Sequence, residues 1–228
     1  MGKKSTSRDA RTSPAVRVSF PTVFTPKAFQ AGQDPKYGIM LMLEKNNPEH
    51  IAFLKKIHQD AGEILVEAWP DETKRPRTPL IGDIRSPIKD GDKTLDTQGR
   101  VLCEVNPEYA GHYLIRANAL RKPAVVDRRN EEIIDSNEIY GGCYCKVNFN
   151  VYSYHNVSQG IACGLNGVQK INDGEAFGGG RPDVDDMFEA DGADDPANYD
   201  AGDPFASQPD PLAGSNDDIP FQNDDIPF

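Results

Sequence analysis

The pattern of apolar and polar positions predicts a chain built mainly of β-strands. Between residues 15 and 20 the two kinds alternate, which places Val16, Val18 and Phe20 on one face of a strand. Residues 37–43 are apolar on both faces, as in a strand that is covered on each side. Further strands are predicted at residues 112–118, 124–126, 143–154 and 160–171. Short strands separated by long loops favour a small β-barrel.

One amphipathic helix is predicted among these strands. Apolar residues recur at helical spacing between Ile51 and Ala68 and form one stripe. Asn46 or Asn47 can cap the start of the helix, and Pro48 suits its first position. The segment from Asp71 to Asn106 is rich in Pro, Gly and charge, which predicts a long, basic loop region. A single helix of this kind is expected to cap the barrel or to pack on the sheet.

The distribution of charge divides the chain into three parts. We expect a flexible basic arm at residues 1–13, a folded domain at 14–177 and an acidic tail at 178–228. All 25 basic residues lie in residues 1–181 together with 22 acidic ones, whereas residues 182–228 hold 14 acidic residues and no basic one. The net charge of −11 therefore conceals a mildly basic body. The tail has too few apolar residues to offset its ordering entropy, so it is predicted to be disordered.

The N-terminus shows no apolar stretch that would act as a signal peptide or cross a membrane. The chain has only four cysteines, which are too few for a disulfide scaffold. A cytoplasmic location with reduced thiols fits these features, and no membrane association is expected.

The predicted strand at 143–154 carries the clearest binding chemistry of the body. One of its faces collects Tyr144, Lys146, Asn148, Asn150, Tyr152 and Tyr154. Aromatic rings stack on the bases of single-stranded nucleic acid, while lysine meets phosphate. An ordinary solvent-exposed face with packed tyrosines is the alternative. Other candidate DNA-binding residues are Arg75, Arg77, Arg85, Lys89, Lys93, Tyr113, Arg116, Arg121 and Lys122. Acidic residues are interleaved with these, so solvated surface is again the simpler alternative.

Signatures of catalysis are missing from the sequence. It contains no GxxxxGK[ST], HExxH or GxSxG motif. Carboxylates that could hold Mg²⁺ in a nuclease are Asp83, Asp90, Asp92 and Asp96. A Gly-rich acidic turn explains them more simply.

Side chains that could form a zinc site are Cys143, Cys145, Cys163 and His155. They lack CxxC spacing, so buried core cysteines are favoured. We therefore predict no metal, no cofactor and no enzymatic activity.

The tail carries the motif NDDIPF twice, at residues 216–221 and at the final six residues, 223–228. An Ile-Pro-Phe tip on a disordered segment cannot bury its side chains within its own chain, so it predicts a segment that binds another protein. The tip resembles that of bacterial single-stranded DNA-binding protein (SSB), whose tail recruits replication, repair and recombination proteins. This resemblance implies that the Phe228 ring fills an apolar pocket on the partner and that its α-carboxylate meets a basic residue. The implied partner-binding residues are Asp217, Asp218, Ile219, Pro220, Phe221, Asp224, Asp225, Ile226, Pro227 and Phe228.

The body resembles phage-encoded single-stranded DNA-binding proteins with an OB-type barrel. Three segments carry the resemblance: KYGIMLMLEK at residues 36–45, and residues 111–127 and 140–171. It implies a five-stranded OB-type barrel with one helix and long basic loops. It also implies a protein that coats single-stranded DNA during replication and recombination. Two alternatives stay open, a recruitment adaptor that mimics host SSB tails without binding DNA, and a metal-dependent nuclease or annealing protein. A homodimer is also left open.

Overall fold

The computed structural model describes residues 6–28, 32, 34–155 and 159–178 of the chain. Its strands are β1 Arg11–Thr12, β2 Val16–Lys27, β3 Lys36–Glu44, β4 Ile88–Asp90, β5 His112–Ala119, β6 Ala124–Val126, β7 Tyr144–His155 and β8 Gln159–Asn172. Its helices are α1 Pro48–Ala68 and α2 Leu102–Val105, with 3₁₀ turns at Glu72–Lys74, Pro107–Tyr109 and Ser136–Glu138. The predicted mainly-β architecture with one substantial helix is confirmed. Apart from residue 178, the predicted tail lies outside the described residues.

Five of the strands pair in a closed cycle. β2 pairs with β3, β3 with β5, β7 with β8 and β7 with β2, all antiparallel, and β5 pairs with β8 in parallel. The seam between β2 and β7 is short, with Val16 opposite Cys145 and Arg17 opposite Tyr144. This is a partly open five-stranded barrel of the kind found in OB folds.

Three short strands extend this ring. β1 pairs with β7, β4 with β5, and β6 with β8. β1 corrects the predicted boundary of the N-terminal arm, because residues 7–13 run alongside β7 and bond to it. The amides of Arg8 and Ser13, for example, donate to the carbonyls of Val151 and Val147 at 3.0 and 2.9 Å. Residues 1–5 of the arm lie outside the described part of the chain. β4 and α2 likewise fall inside the segment predicted as loop.

Helix α1 covers one end of the barrel. The Asn47 side chain caps it by accepting from the amide of Glu49 at 3.0 Å, and Pro48 occupies its first turn, as predicted. The buried stripe of α1 packs into the same core as the inward side chains of β2, β3, β5, β7 and β8. The edge of the Phe53 ring meets the Phe149 ring, with centroids 6.0 Å apart. Burial of this apolar stripe is the main force that holds α1 on the barrel.

The alternation of inward and outward side chains along strand β2 is interrupted by a β-bulge. Ser19 pairs with Met40 and Thr22 pairs with Gly38, so β2 holds one extra residue over this interval. Phe20 lies in the bulge with φ of +44°, and its side chain is 53% exposed. The prediction that Phe20 shares the inward face of Val16 and Val18 was therefore wrong. The extra residue turns its ring out of the core.

Candidate nucleic-acid interface

The outer face of the barrel presents two parallel rows of side chains. Ser19 pairs with Met40, Met40 with Arg116, and Ala162 with Tyr152. The pairing of Ala117 with Cys163 in the parallel β5–β8 ladder sets Arg116 beside Ala162. We call this set the outer row: Ser19, Met40, Arg116, Ala162 and Tyr152. It crosses five neighbouring strands in the order β2, β3, β5, β8, β7.

A second row runs beside the outer row. Gly38 pairs with Asn118, Asn118 with Gly164, and Gly164 with Asn150. We call this set the amide row: Gly38, Asn118, Gly164 and Asn150. Its two asparagines carry hydrogen-bond donors and acceptors on the same face as Arg116 and Tyr152.

Both glycines of the amide row make room for neighbouring side chains of the two rows. A Cβ at Gly38 would lie 2.9 Å from Nη2 of Arg116. A Cβ at Gly164 would lie 2.7 Å from the side-chain oxygen of Asn150 and 3.4 Å from the Tyr152 ring. The guanidinium and the phenol ring can therefore lie close against the sheet only because these positions have no side chain.

Two half-buried cations lie on this face. Lys89 of β4 is opposite Leu114 of β5, so it projects on the same side as Arg116. Burial lowers the pKa of both Lys89 and Arg116, and the charge of Arg116 adds to the effect on Lys89. The Arg116 Nε donates to the Asn118 side-chain oxygen at 3.1 Å. A phosphate placed beside them would oppose this effect of burial, because a nearby negative charge favours the charged forms of both side chains.

Tyrosines occupy the β7 end of the same face. Tyr152 is half-buried, and burial raises the pKa of its phenol. Tyr154 lies two residues further along and lines a narrow cleft with Arg85, Pro79 and Gly160. The structure thus brings together four of the predicted DNA-binding residues in one region of the sheet: Lys89, Arg116, Tyr152 and Tyr154.

Other predicted binding residues lie around this region. Tyr144 and Lys146 share the outer face of β7 but lie at its opposite end, where Tyr144 lines a cavity of about 430 Å³ with Arg17 and Lys45. Arg121 and Lys122 are exposed immediately after β5. Neither of these two, nor Lys146, forms an ion pair with any residue that the structure describes.

The remaining predicted residues are separated from the two rows. Tyr113 faces the opposite side of β5 from Arg116, packs against the main core and has the Lys45 ammonium 4.9 Å from its ring centroid. It shares the inward face of β5 with Ile115 and Ala117, which excludes it from the outer face. Arg75 bonds to the Trp69 carbonyl and to Glu72, both at 3.0 Å. Arg77 and Lys93 are exposed on the long segment before β5.

Sequence reasoning did not single out six members of the rows, which are Ser19, Met40, Ala162, Gly38, Asn118 and Gly164. Asn118 could have been found, because it lies two residues after Arg116 in a predicted strand and must share its face. Met40 and Gly164 give no such signal. Their place on the outer face depends on which strands are neighbours.

The proposed metal-ligand sets have structural roles. Lys45 bonds to the carboxylates of both Asp90 and Asp92, and Asp96 pairs with Arg100 at 2.9 Å. Cys143 and Cys145 are buried in the core with their sulfurs 3.6 Å apart. Within the described part of the chain, no group of three or more His, Cys, Asp or Glu side chains is arranged to hold a metal ion.

Comparison with known proteins identifies the family. The family model described as "Enterobacter phage Enc34, ssDNA-binding protein" matches residues 11–198. The chain belongs to this family. The Enc34 family consists of DNA-binding proteins, so the predictions of a phage single-stranded DNA-binding protein and of a non-enzymatic role are confirmed.

Individual members of this group share moderate similarity with the chain. The single-stranded DNA-binding protein of bacteriophage Enc34, solved in complex with ssDNA, is 28% identical, with a TM-score of 0.57 over 74% of this chain and 89% of that one. Protein p50 of Acyrthosiphon pisum secondary endosymbiont phage 1 is 27% identical over 72% of this chain and 84% of its own length.

A more distant structure shares the fold alone. The single-stranded DNA-binding protein gp2.5 of bacteriophage T7 is 17% identical, with a TM-score of 0.50 over 82% of this chain and 98% of that one. Among the described residues, no helix of this Enc34-family chain is long and apolar enough to cross a membrane.

Proposed function

We propose that this protein coats single-stranded DNA during phage replication and recombination in the bacterial cytoplasm. The observation that carries the proposal is the outer row, which sets Arg116 and Tyr152 on one face of an Enc34-family barrel. Phosphates would be held by Lys89 and Arg116, with Arg121, Lys122 and Lys146 at the margins. Bases would stack on Tyr152 and Tyr154 at about 1–3 kcal/mol each. The amide row would donate to base or sugar oxygens.

Little sequence preference is expected from this surface. Every base has a π-face that a tyrosine can stack on, whereas base-specific recognition needs paired donors and acceptors in fixed geometry. Affinity should instead depend strongly on salt, because each cation–phosphate contact releases condensed counterions.

The test is a titration of oligo-dT and of a duplex of equal length at several salt concentrations. We expect preference for the single strand and a linear fall of the logarithm of the binding constant with the logarithm of salt. Equal affinity for the duplex, or affinity that does not change with salt, would refute the proposal. No binding of oligo-dT at low salt would favour the recruitment adaptor, and Mg²⁺-dependent degradation of the oligomer would favour a nuclease.

The second part of the proposal concerns the acidic tail. We propose that residues 217–221 and 224–228 recruit replication and repair proteins of the host or phage, with the ring and α-carboxylate of Phe228 as the anchor. Support comes from the repeated NDDIPF motif and its likeness to SSB tails. Removal of Phe228 alone should preserve oligo-dT affinity and abolish most binding to a host protein that takes SSB tails. Retained partner binding would move the anchor to the inner copy at Phe221.

A further inference from the structure

A groove lies at the β2 end of the outer row. It has a volume of about 430 Å³ and is lined mainly by apolar side chains. The lining side chains that matter here are Phe20, Pro21, Val105, Pro107, Glu108 and Phe177. Ser19 lines the groove and also belongs to the outer row, so the two features are continuous.

Phe20 is held in this groove by an unusual backbone. Its φ of +44° is a conformation that a bulky L-residue rarely adopts, and the bulge that imposes it turns the ring to the surface. Bulges commonly re-aim a side chain beside a functional site. A core role for Phe20 is excluded, because its side chain is 53% exposed.

Two further parts of the groove lining are held in place by contacts with the barrel. The Tyr109 hydroxyl donates to Ser19 Oγ at 3.3 Å and ties the Pro107–Tyr109 turn to β2. The Arg17 guanidinium lies 4.2 Å from the centroid of the Phe177 ring, and the Phe177 amide donates to the Gly141 carbonyl at 2.9 Å. The position of Phe177 is therefore fixed relative to the barrel.

We infer that this groove takes an unpaired nucleobase of the bound strand, which stacks on Phe20. The inference rests on the proposed function and extends its site from Tyr152 to the β2 end of the outer row. Tyr152 and Ser19 are separated by four inter-strand spacings, about 19 Å, and Ser19 itself is buried beneath Tyr109. A strand that runs along the row from Tyr152 meets the exposed Phe20 at its β2 end. The ring supplies a π-face for any base.

The charge of the groove decides between a base and other occupants. Among the described residues, Glu108 is the only charged side chain that lines the groove. A carboxylate there disfavours both phosphate and the acidic DDIPF tip of the tail, whereas a neutral base meets no such repulsion. Phosphates are accommodated instead by Arg116 and Lys89 further along the face.

Substitutions of Phe20 in the full-length chain test this inference. Phe20→Leu keeps an apolar side chain but removes the π-face, so oligo-dT affinity should fall by about 5- to 100-fold. Phe20→Trp should bind within about threefold of wild type, and its emission should be quenched by oligo-dT. The native Trp69 is only 2% exposed and makes a small contribution to such quenching. Val66→Ala is the matched control, because Val66 is equally exposed at 53% but lies on α1.

The outcomes separate this inference from the function on which it rests. If wild type binds oligo-dT and Phe20→Leu binds equally well, the base-stacking role of Phe20 fails while the proposed function stands. If wild type does not bind oligo-dT, the proposed function itself fails. Quenching of Phe20→Trp by an NDDIPF peptide, but not by oligo-dT, would make the groove a tail site and overturn the inference.

Discussion

At the scale of single residues, the backbone conformation of Phe20 costs folding stability, while its exposed ring is proposed to bind DNA. A positive φ at a bulky residue costs about 1–3 kcal/mol, whereas glycine adopts it freely. Because the Phe20 ring is half exposed, its removal loses little burial. We expect Phe20→Gly to raise the free energy of unfolding by about 1 kcal/mol, after the greater chain entropy of unfolded glycine is deducted. Urea denaturation measures this change.

A second residue with positive φ provides the control for Phe20→Gly. Asn130 has φ of +65° in a loop, where asparagine tolerates this conformation better than phenylalanine does. Asn130→Gly should change stability less and should leave oligo-dT affinity unaltered. A loss of stability in Phe20→Gly would show that the exposed ring contributes more by packing than its backbone costs.

The proposed phosphate contacts can be tested one at a time. Lys146→Met should weaken oligo-dT binding and reduce the magnitude of the salt slope by about 0.7, the value of one phosphate contact to a single strand. Lys56→Met is the matched control, since Lys56 is also exposed but lies on α1. Identical salt slopes for the two variants would remove Lys146 from the interface.

At the scale of elements, the N-terminal segment is fastened to both β7 and α1. Arg11 forms a two-pronged ion pair with Asp60, whose side chain is only 7% exposed, and Arg8 pairs with Glu63 and Glu67 on the same helix. Asp60 is thus a nearly buried carboxylate whose charge is compensated by a residue of the segment that was predicted to be a flexible arm.

Loss of Arg11 should therefore reduce stability. We expect Arg11→Ala to lower the free energy of unfolding by about 1–3 kcal/mol, less than for a fully buried pair because Arg11 itself is 43% exposed. Asp60→Ala should have a smaller effect in the Arg11→Ala background than in wild type. Thermal or urea unfolding of the four proteins in this cycle gives the coupling, and additive effects would show that the pair contributes nothing.

Sequence patterns predicted most of the long elements and missed three of the short ones. The short strand β6 was predicted at its observed position, whereas β2 runs on to Lys27, well beyond the predicted end at Phe20. Helix α1 and strands β3, β5, β7 and β8 were predicted to within about two residues, because each holds its periodicity over many positions. β1, β4 and α2 have two to four residues each. Periodicity is not measurable over so few positions. β1 and β4 form because neighbouring strands offer unpaired backbone groups.

The candidate site was predictable strand by strand but not across strands. Alternation alone placed Tyr152 and Tyr154 on a common face of β7. Tyr113 lies on the opposite face of β5 from Arg116, a separation that alternation along the strand already implies because the two positions differ by three. The meeting of Arg116, Ala162 and Tyr152 depends on the parallel β5–β8 pairing, a tertiary contact that no local pattern encodes.

At the scale of the whole molecule, the uneven charge predicts self-competition. The segment 182–228 carries 14 acidic residues and no basic one, and it is covalently linked to a body that is proposed to bind phosphate. A linked polyanion acts at a high effective concentration. Deletion of residues 182–228 should therefore tighten oligo-dT binding by about tenfold at low salt, and the difference should shrink as salt screens the charges. Equal or weaker affinity of the truncated protein would contradict this.

The closed cycle of strands also bears on solubility. A protein that coats single-stranded DNA, as proposed for this chain, works at high local concentration with copies side by side. Exposed sheet edges under such conditions invite pairing between molecules. Here the strands of the cycle use much of their backbone to pair with one another. These strands are β2, β3, β5, β7 and β8. In the described residues, the strands that lie outside the cycle, β1, β4 and β6, are only two or three residues long. The barrel thus offers neighbouring copies little backbone on β3, β5, β7 and β8, whereas the edge of β2 beyond its short seam with β7 is the exception.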